Sequence, residues 1–245
     1  YKDGEAVKNG TGITVDGANV TLTGTYGYDH LLAINSNNEY KYYDIYAITS
    51  AYSGSGTEAD PYLIKTKADL EMLADAVNVY KQNHRGDFFK MTNDIDLELD
   101  KNFTGIATQK GTTFFNGTFD GGNHTVHQLY LDPNSGQKKY TGLFGLCGAA
   151  STIKNVRVAV DSKINAYRYG AAVVGYSEGK VINCRNYANV DAYDVYTGGV
   201  IGVLVGTTAV ADSCYNSGTV SSGLGTVAAS WVSTRSNALR AMAAT

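Results

Sequence analysis

The sequence predicts an all-β protein whose larger part is a right-handed parallel β-helix, a solenoid in which each repeat forms one coil. Three observations lead there. First, Tyr140-Thr-Gly-Leu-Phe-Gly145, Tyr169-Gly-Ala-Ala-Val-Val-Gly175 and Tyr196-Thr-Gly-Gly-Val-Ile-Gly202 recur, with closing glycines 30 and then 27 residues apart. Second, each is followed by a shared element: Ile153-Lys-Asn-Val156, Val181-Ile-Asn-Cys184 and Ala211-Asp-Ser-Cys214. Third, the 28 Gly, 2 Pro and 19 Tyr, with only 18% charged residues, suit many short strands joined by tight turns. The runs lack the 3.6-residue apolar spacing of a helical repeat, so a period near 30 residues reads as stacked β coils.

The elements follow in chain order. Residues 1–52 stand outside the repeat and read as a small β segment or the remnant of a domain. Gly12-Ile-Thr-Val15, Val20-Thr-Leu-Thr23 and Tyr40-Lys-Tyr-Tyr-Asp-Ile-Tyr46 look like strands, with turns at Asp16-Gly17 and Asn35–Asn38. Ser53-Gly-Ser-Gly56 reads as a flexible junction. The solenoid is expected over 53–230, opened by one amphipathic helix. Thr66 is its N-cap, Asp69 sits three positions on, and Leu70, Leu73, Ala74 and Val77 fall on one face. Such a helix can cover the open end of a solenoid, which otherwise exposes strand edges and core.

Asn93-Asp-Ile-Asp-Leu-Glu-Leu-Asp100 alternates strictly and predicts a strand in the first coil, with its carboxylates in solvent. Phe114-Phe-Asn-Gly-Thr-Phe-Asp-Gly-Gly-Asn-His-Thr-Val126 predicts a strand, a tight turn and a second strand of an early coil. Stacking the repeats in register places Val156, Cys184 and Cys214 in one inward column. Asn186 and Asn216 fall in another, expected at a turn. Cys147, Cys184 and Cys214 are an odd number without metal spacing, so they read as small buried apolar residues, with a Cys184–Cys214 bridge as the alternative. Residues 231–245 read as a C-terminal tail, with a short helix over 236–244.

Several of these motifs together resemble the GLUG-motif proteins, a family of bacterial surface β-helices. Gly54-Ser-Gly-Thr-Glu-Ala-Asp-Pro-Tyr-Leu-Ile64, the helix with Asp69-Leu70, Asn93-Asp-Ile-Asp-Leu97 and Gly117-Thr-Phe-Asp-Gly121 occur in that order. Gly-Leu-Phe-Gly145 and Cys214-Tyr-Asn-Ser-Gly218 follow, so the resemblance covers roughly 53–222. The second and third repeats depart from it, reading Ala-Val-Val-Gly175 and Gly-Val-Ile-Gly202. The resemblance implies surface display and an adhesin-like role, and it supplies no catalytic residue.

Function is bounded next. The formal net charge is −3 and Lys138–Lys139 is the one adjacent basic pair, so nucleic acid is not an expected partner. No stretch reaches the ~18 to 20 apolar residues of a membrane span. The chain opens at Tyr1 rather than Met, which accommodates a signal peptide, a lipid anchor or a further domain upstream, and the expected location is extracellular or on the outer surface.

Among candidate sites, Asp94, Asp96 and Glu98 alternate on one face. They are compatible with Ca²⁺ ligation or with the paired acids of a glycoside hydrolase, and also with a plain solvated edge. Asp120, His124 and His127 form a second cluster without a third metal ligand. No nucleophile elbow or phosphate loop is present. Tyr140, Tyr169 and Tyr196 each open a repeat, with Tyr167 and Tyr193 close by. They are expected to stack on successive coils as a ligand face for glycan or for a host or microbial surface protein, although cross-strand stabilisation alone gives the same spacing. The expected role is a non-enzymatic, adhesin-like binding module that needs no cofactor. The alternatives are a carbohydrate-active β-helix enzyme using Asp94, Asp96 or Asp120, and a spacer in a larger surface protein.

Overall fold

The computed structural model describes five strands between residues 9 and 45, then residues 52–108, 113–132, 140–193 and 196–223, and a last strand at Trp231–Val232. The chain divides into two compact units, Tyr1–Ser53 and Gly54–Thr245. In the first, Asn9–Gly10, Ile13–Asp16 and Asn19–Leu22 form an antiparallel sheet. Asp16 pairs with Asn19, as the Asp16-Gly17 turn signal requires. Asp29–Ile34 and Tyr40–Ile45 form a separate antiparallel pair. Of these, Asp29–Ile34 is a strand that the sequence reading passes over.

The second unit is a parallel β-solenoid of about five turns. Five sheets run along it. Sheet 1 stacks Tyr62–Ile64, Phe88–Met91, Thr118–Asp120, Thr152–Lys154, Lys180–Ile182 and Val210–Asp212. Sheet 2 stacks Ile95–Asp96, Thr125–His127, Arg157–Val158, Arg185–Asn186 and Cys214–Asn216. Trp231–Val232 pairs antiparallel on its last edge, which occupies backbone groups that would otherwise stay unpaired. Sheet 3 holds Tyr130–Leu131, Lys163–Ala166, Val190–Ala192 and Val220–Ser222. Sheet 4 pairs Tyr140–Thr141 with Tyr169–Gly170 and bridges onward to Thr197. Sheet 5 holds Phe144–Cys147, Val174–Ser177 and Ile201–Leu204.

Parallel in-register pairing puts like positions above like, so each inward column is one residue type or a graded series. Sheet 1 runs inward through Phe89, Phe119, Ile153, Val181 and Ala211, all buried. Its two phenylalanines join Phe115 and Phe144 in a cluster with ring centroids 5.0 to 6.1 Å apart. The core is therefore filled by large rings in the early coils and by small aliphatic groups in the later ones.

Helix α1, Lys67–Asn78, begins with a reciprocal capping box between Thr66 and Asp69. Leu70, Leu73, Ala74 and Val77 are buried as the periodicity predicts. Both ends of α1 are fastened to the first coil. Lys67 Nζ reaches Glu98 and Asp100, at 3.0 and 2.9 Å. The buried Asn78 donates to the Gly105 carbonyl at 2.7 Å and accepts from the Thr108 amide at 3.1 Å. These contacts fit the end-cap role.

Four sequence expectations are corrected or left aside. The 93–100 strand stops at Asp96. Asp96 Oδ1 accepts the Glu98 amide at 2.7 Å, and Glu98 and Leu99 take positive φ, so the chain turns instead of continuing its alternation. Residues 53–56 lead into a hydrogen-bonded turn rather than a loose junction. Ser55 and Thr57 amides both donate to the Asp60 carbonyl, and the Phe88 amide donates to Gly56. Asn186 and Asn216 do share a column, but inside sheet 2 rather than at a turn. The left-handed corner residues are Asn155, Asn183 and Ser213, one position before the Val156–Cys184–Cys214 column. The helix expected over 236–244 lies outside the described residues.

Candidate functional site

The tyrosines named from the repeats come together at the corner where sheet 3 passes into sheet 4. Tyr140 pairs in register with Tyr169, and their rings stack at 5.0 Å and 11°. Tyr169 stacks on Tyr196 at 5.4 Å and 10°, which gives a ladder three coils tall. A second ladder, Tyr167 on Tyr193, stands beside it at 5.8 Å and 9°. Near-parallel rings at these centroid distances are offset, so each covers only part of its neighbour's face. Tyr193 remains 66% exposed and Tyr196 44%. Arg168, between Tyr167 and Tyr169 in the chain, lies over the Tyr169 ring at 5.4 Å.

Two features beside the ladders escaped the sequence reading. Tyr176 meets Tyr140 and Tyr169 edge-on, at 5.8 and 6.1 Å, and its hydroxyl donates to Glu178 at 3.2 Å. Burial and the Glu178 carboxylate push that hydroxyl's pKa above its ordinary value. The available signal was its place directly after the repeat glycine Gly175. The other feature is a polar column on sheet 3, where Asn165, Asp191 and Ser221 stand in register and Ser221 hydrogen-bonds to Asp191. Hydroxyl, amide and carboxylate groups therefore flank the Tyr167–Tyr193 pair.

The carboxylates disperse. Asp94 accepts from the Thr125 amide at 2.9 Å and faces His124 Nδ1 at 3.2 Å. The Thr125 amide, more than the imidazole, holds its pKa below the usual value. Asp96 closes its own turn, and Glu98 pairs with Lys67. The three proposed Ca²⁺ donors thus have three different partners. Among the described residues no group of three or more His, Cys, Asp or Glu side chains is placed to hold a metal ion. Asp120, His124 and His127 also separate. Asp120 is bound by Asn155, Lys154 and the Gly122 amide, while His127 pairs with Asp161 at 3.2 Å.

Cys147, Cys184 and Cys214 are buried and free. Burial pushes the Cys147 and Cys184 thiols well above their ordinary pKa, which suits packing rather than nucleophilic chemistry.

No protein-family model matches the chain. What stands is a β-solenoid with a distant likeness to halomucin of Haloquadratum walsbyi, 29% identical over 168 residues. That match covers 65% of this chain, and the chain spans 2% of halomucin's length. A crystal structure of a candidate immunoglobulin A1 protease from Bacteroides ovatus superposes with a TM-score of 0.46 at 18% identity. It covers 71% of this chain and 62% of the other. Among the described residues no helix is long and apolar enough to cross a membrane.

Proposed function

We propose that this chain is a non-enzymatic, adhesin-like module of the cell exterior that binds glycan along its tyrosine corner. One observation carries the reading: two parallel ladders of stacked tyrosines share one corner, with Tyr167, Tyr193 and Tyr196 left in water. Stacking accounts for the half-buried rings of Tyr140 and Tyr169. It does not require Tyr193 to keep two thirds of its surface exposed. Offset rings present a stepped apolar surface with hydroxyls at its rim, and the Asn165–Asp191–Ser221 column adds polar partners for sugar hydroxyls. The surface is ordered before any ligand arrives, because parallel pairing fixes each rung, and so association freezes few side chains. The likeness to halomucin and the GLUG-type motif order support a place outside the cell.

The test is binding of the intact chain to a glycan array and to surface-protein extracts, repeated with Tyr193→Ala/Tyr196→Ala. Loss of glycan binding with unchanged circular dichroism and melting supports the reading. Glycan binding that persists in the folded variant, or capture of protein with no glycan bound, overturns it. Absence of all binding leaves the solenoid as a spacer.

A further inference from the structure

We infer a second ligand site, on the outer face of sheet 2, where Arg157 and Arg185 form an oxyanion cradle for an acidic polysaccharide. Val158 and Asn186 point into the core from these strands, so Arg157 and Arg185 point out, and they pair directly in register. Adjacent parallel strands lie about 4.8 Å apart, which sets the two arginine side chains on neighbouring rungs of one face. Both side chains are half-buried, so their repulsion is not fully screened by water.

Neither arginine forms an ion pair among the described residues. The Arg157 side chain has one hydrogen bond, from Nη2 to Asn123 Oδ1 at 3.4 Å, and its Nε is buried without a partner. The Arg185 side chain has no polar partner among the described residues. The nearest acid of the same column, Asp94, lies beyond Thr125 and is already taken by His124 and the Thr125 amide. Lys67, Lys154 and His127, by contrast, each pair with a carboxylate. Two half-buried cations in register without a counter-ion call for an external anion.

A surface depression adjoins them. Ala159 and Tyr187 lie two residues beyond Arg157 and Arg185, just past the ends of their strands. Together with Val160, Asn189, Ser217 and Gly218 they line a shallow hollow that also reaches Thr125. Tyr187 supplies a ring inclined towards Tyr215 at 6.3 Å, and Asn189 and Ser217 supply polar groups. A sugar ring seated there would carry a sulfate ester or carboxylate onto the guanidinium pair. Arginine forks match such planar or tetrahedral oxyanions with two parallel hydrogen bonds. The polymer repeats its charge along its length, as the coils repeat the rungs.

The site stands apart from the tyrosine corner and does not depend on it. It is tested by affinity electrophoresis of the whole chain at low ionic strength in dextran sulfate, polygalacturonate and neutral dextran, with a duplex oligonucleotide as a further polyanion. Retardation is expected in one or both acidic polysaccharides and not in dextran, and the two arms separate sulfate from carboxylate as the preferred group. Arg157→Gln/Arg185→Gln is expected to weaken it at least about tenfold. Lys163→Gln/Lys180→Gln, which removes equal charge from exposed positions on sheets 3 and 1, changes it by less than about twofold. Arg157→Lys/Arg185→Lys keeps the charge and recovers only part of the binding. The readout is the contrast between the arginine and lysine variants, so failure of the tyrosine reading, judged on the glycan array, is recognised separately. The inference is overturned if no acidic polysaccharide binds, if both charge-removing variants lose equally, or if the duplex binds as tightly as the polysaccharide.

Discussion

The carbonyl oxygen of Tyr169 lies 2.7 Å from where a Cβ on Gly175 would stand. The Thr141 carbonyl crowds the same point at 2.8 Å, and on the next coil Gly202 meets the Tyr196 carbonyl at 3.0 Å. The repeat glycine is what lets sheet 5 fold back against the tyrosine strand. Gly175→Ala is expected to cost about 1 to 3 kcal/mol, because backbone atoms rather than flexible side chains must give way. Urea denaturation measures this, and a variant as stable as the parent would show that the corner yields freely.

Within the ladders, position on the stack sets the cost of losing a ring. Tyr169 is stacked on both sides and touched edge-on by Tyr176, whereas among the described residues Tyr193 stacks on Tyr167 alone and is largely exposed. Tyr169→Ala is expected to destabilise by about 2 to 3 kcal/mol and Tyr193→Ala by less than about 1. Melting curves of the two variants should differ accordingly, and equal losses would contradict the offset-stack geometry.

Inside sheet 2 the inward column changes from Ile95, Val126 and Val158 to Asn186 and Asn216. Asn186 donates to Asn216 Oδ1 at 2.7 Å and to the Ala188 carbonyl, and accepts the Ala188 amide at 3.0 Å. Asn186→Ala strands these groups in the core at about 2 to 4 kcal/mol. Because the two amides share a bond, a double-mutant cycle with Asn216→Ala should return a coupling of roughly 1 kcal/mol, and additivity would deny the ladder.

Acid should destabilise the fold in two stages. Burial against Phe89 and Phe115 lowers the His84 pKa from its ordinary 6.5, against the pull of Asp87. The folded state therefore resists protonation of His84, and its contribution is complete above pH 6.5 and declines as pH falls from 6.5 through the lower folded value. Asp94, Asp100, Asp120 and Asp161 are all held below 3.8. For Asp120 and Asp161 burial opposes this, but Asn155, Gly122 and Lys154 outweigh it at the first, and the Gln128 amide and His127 at the second. Their contribution is complete above 3.8 and lost below it. Denaturation midpoints across pH should show both limbs, with His84→Gln removing only the upper one.

Much of this architecture was legible in the chain because parallel stacking writes itself as repetition. Gly145, Gly175 and Gly202 do lie on successive rungs, and Val156, Cys184 and Cys214 do share a buried column. Where the reading failed, local chemistry overrode the pattern. Asp96 bonds the Glu98 amide and ends an alternation that the apolar residues alone would continue. Asn186 and Asn216 look like turn residues, yet each meets its amide needs inside the core, which no propensity reveals. The Arg157–Arg185 pair was visible as a 28-residue repeat of position in the chain. What the chain does not show is which cations lack a carboxylate partner, because that depends on the neighbours the fold supplies, as Asp120 is supplied to Lys154.

The gradation from Phe89 and Phe119 through Ile153 and Val181 to Ala211 gives the solenoid a direction. Each coil contacts only its neighbours, so resistance to opening follows what each rung buries. Thermal fraying is expected to enter at the alanine end and to meet rising resistance as it approaches the phenylalanines and α1. The two ladders and the arginine pair occupy the later coils, so a ligand that spans rungs there would act as a clasp on the part of the rod most ready to unwind.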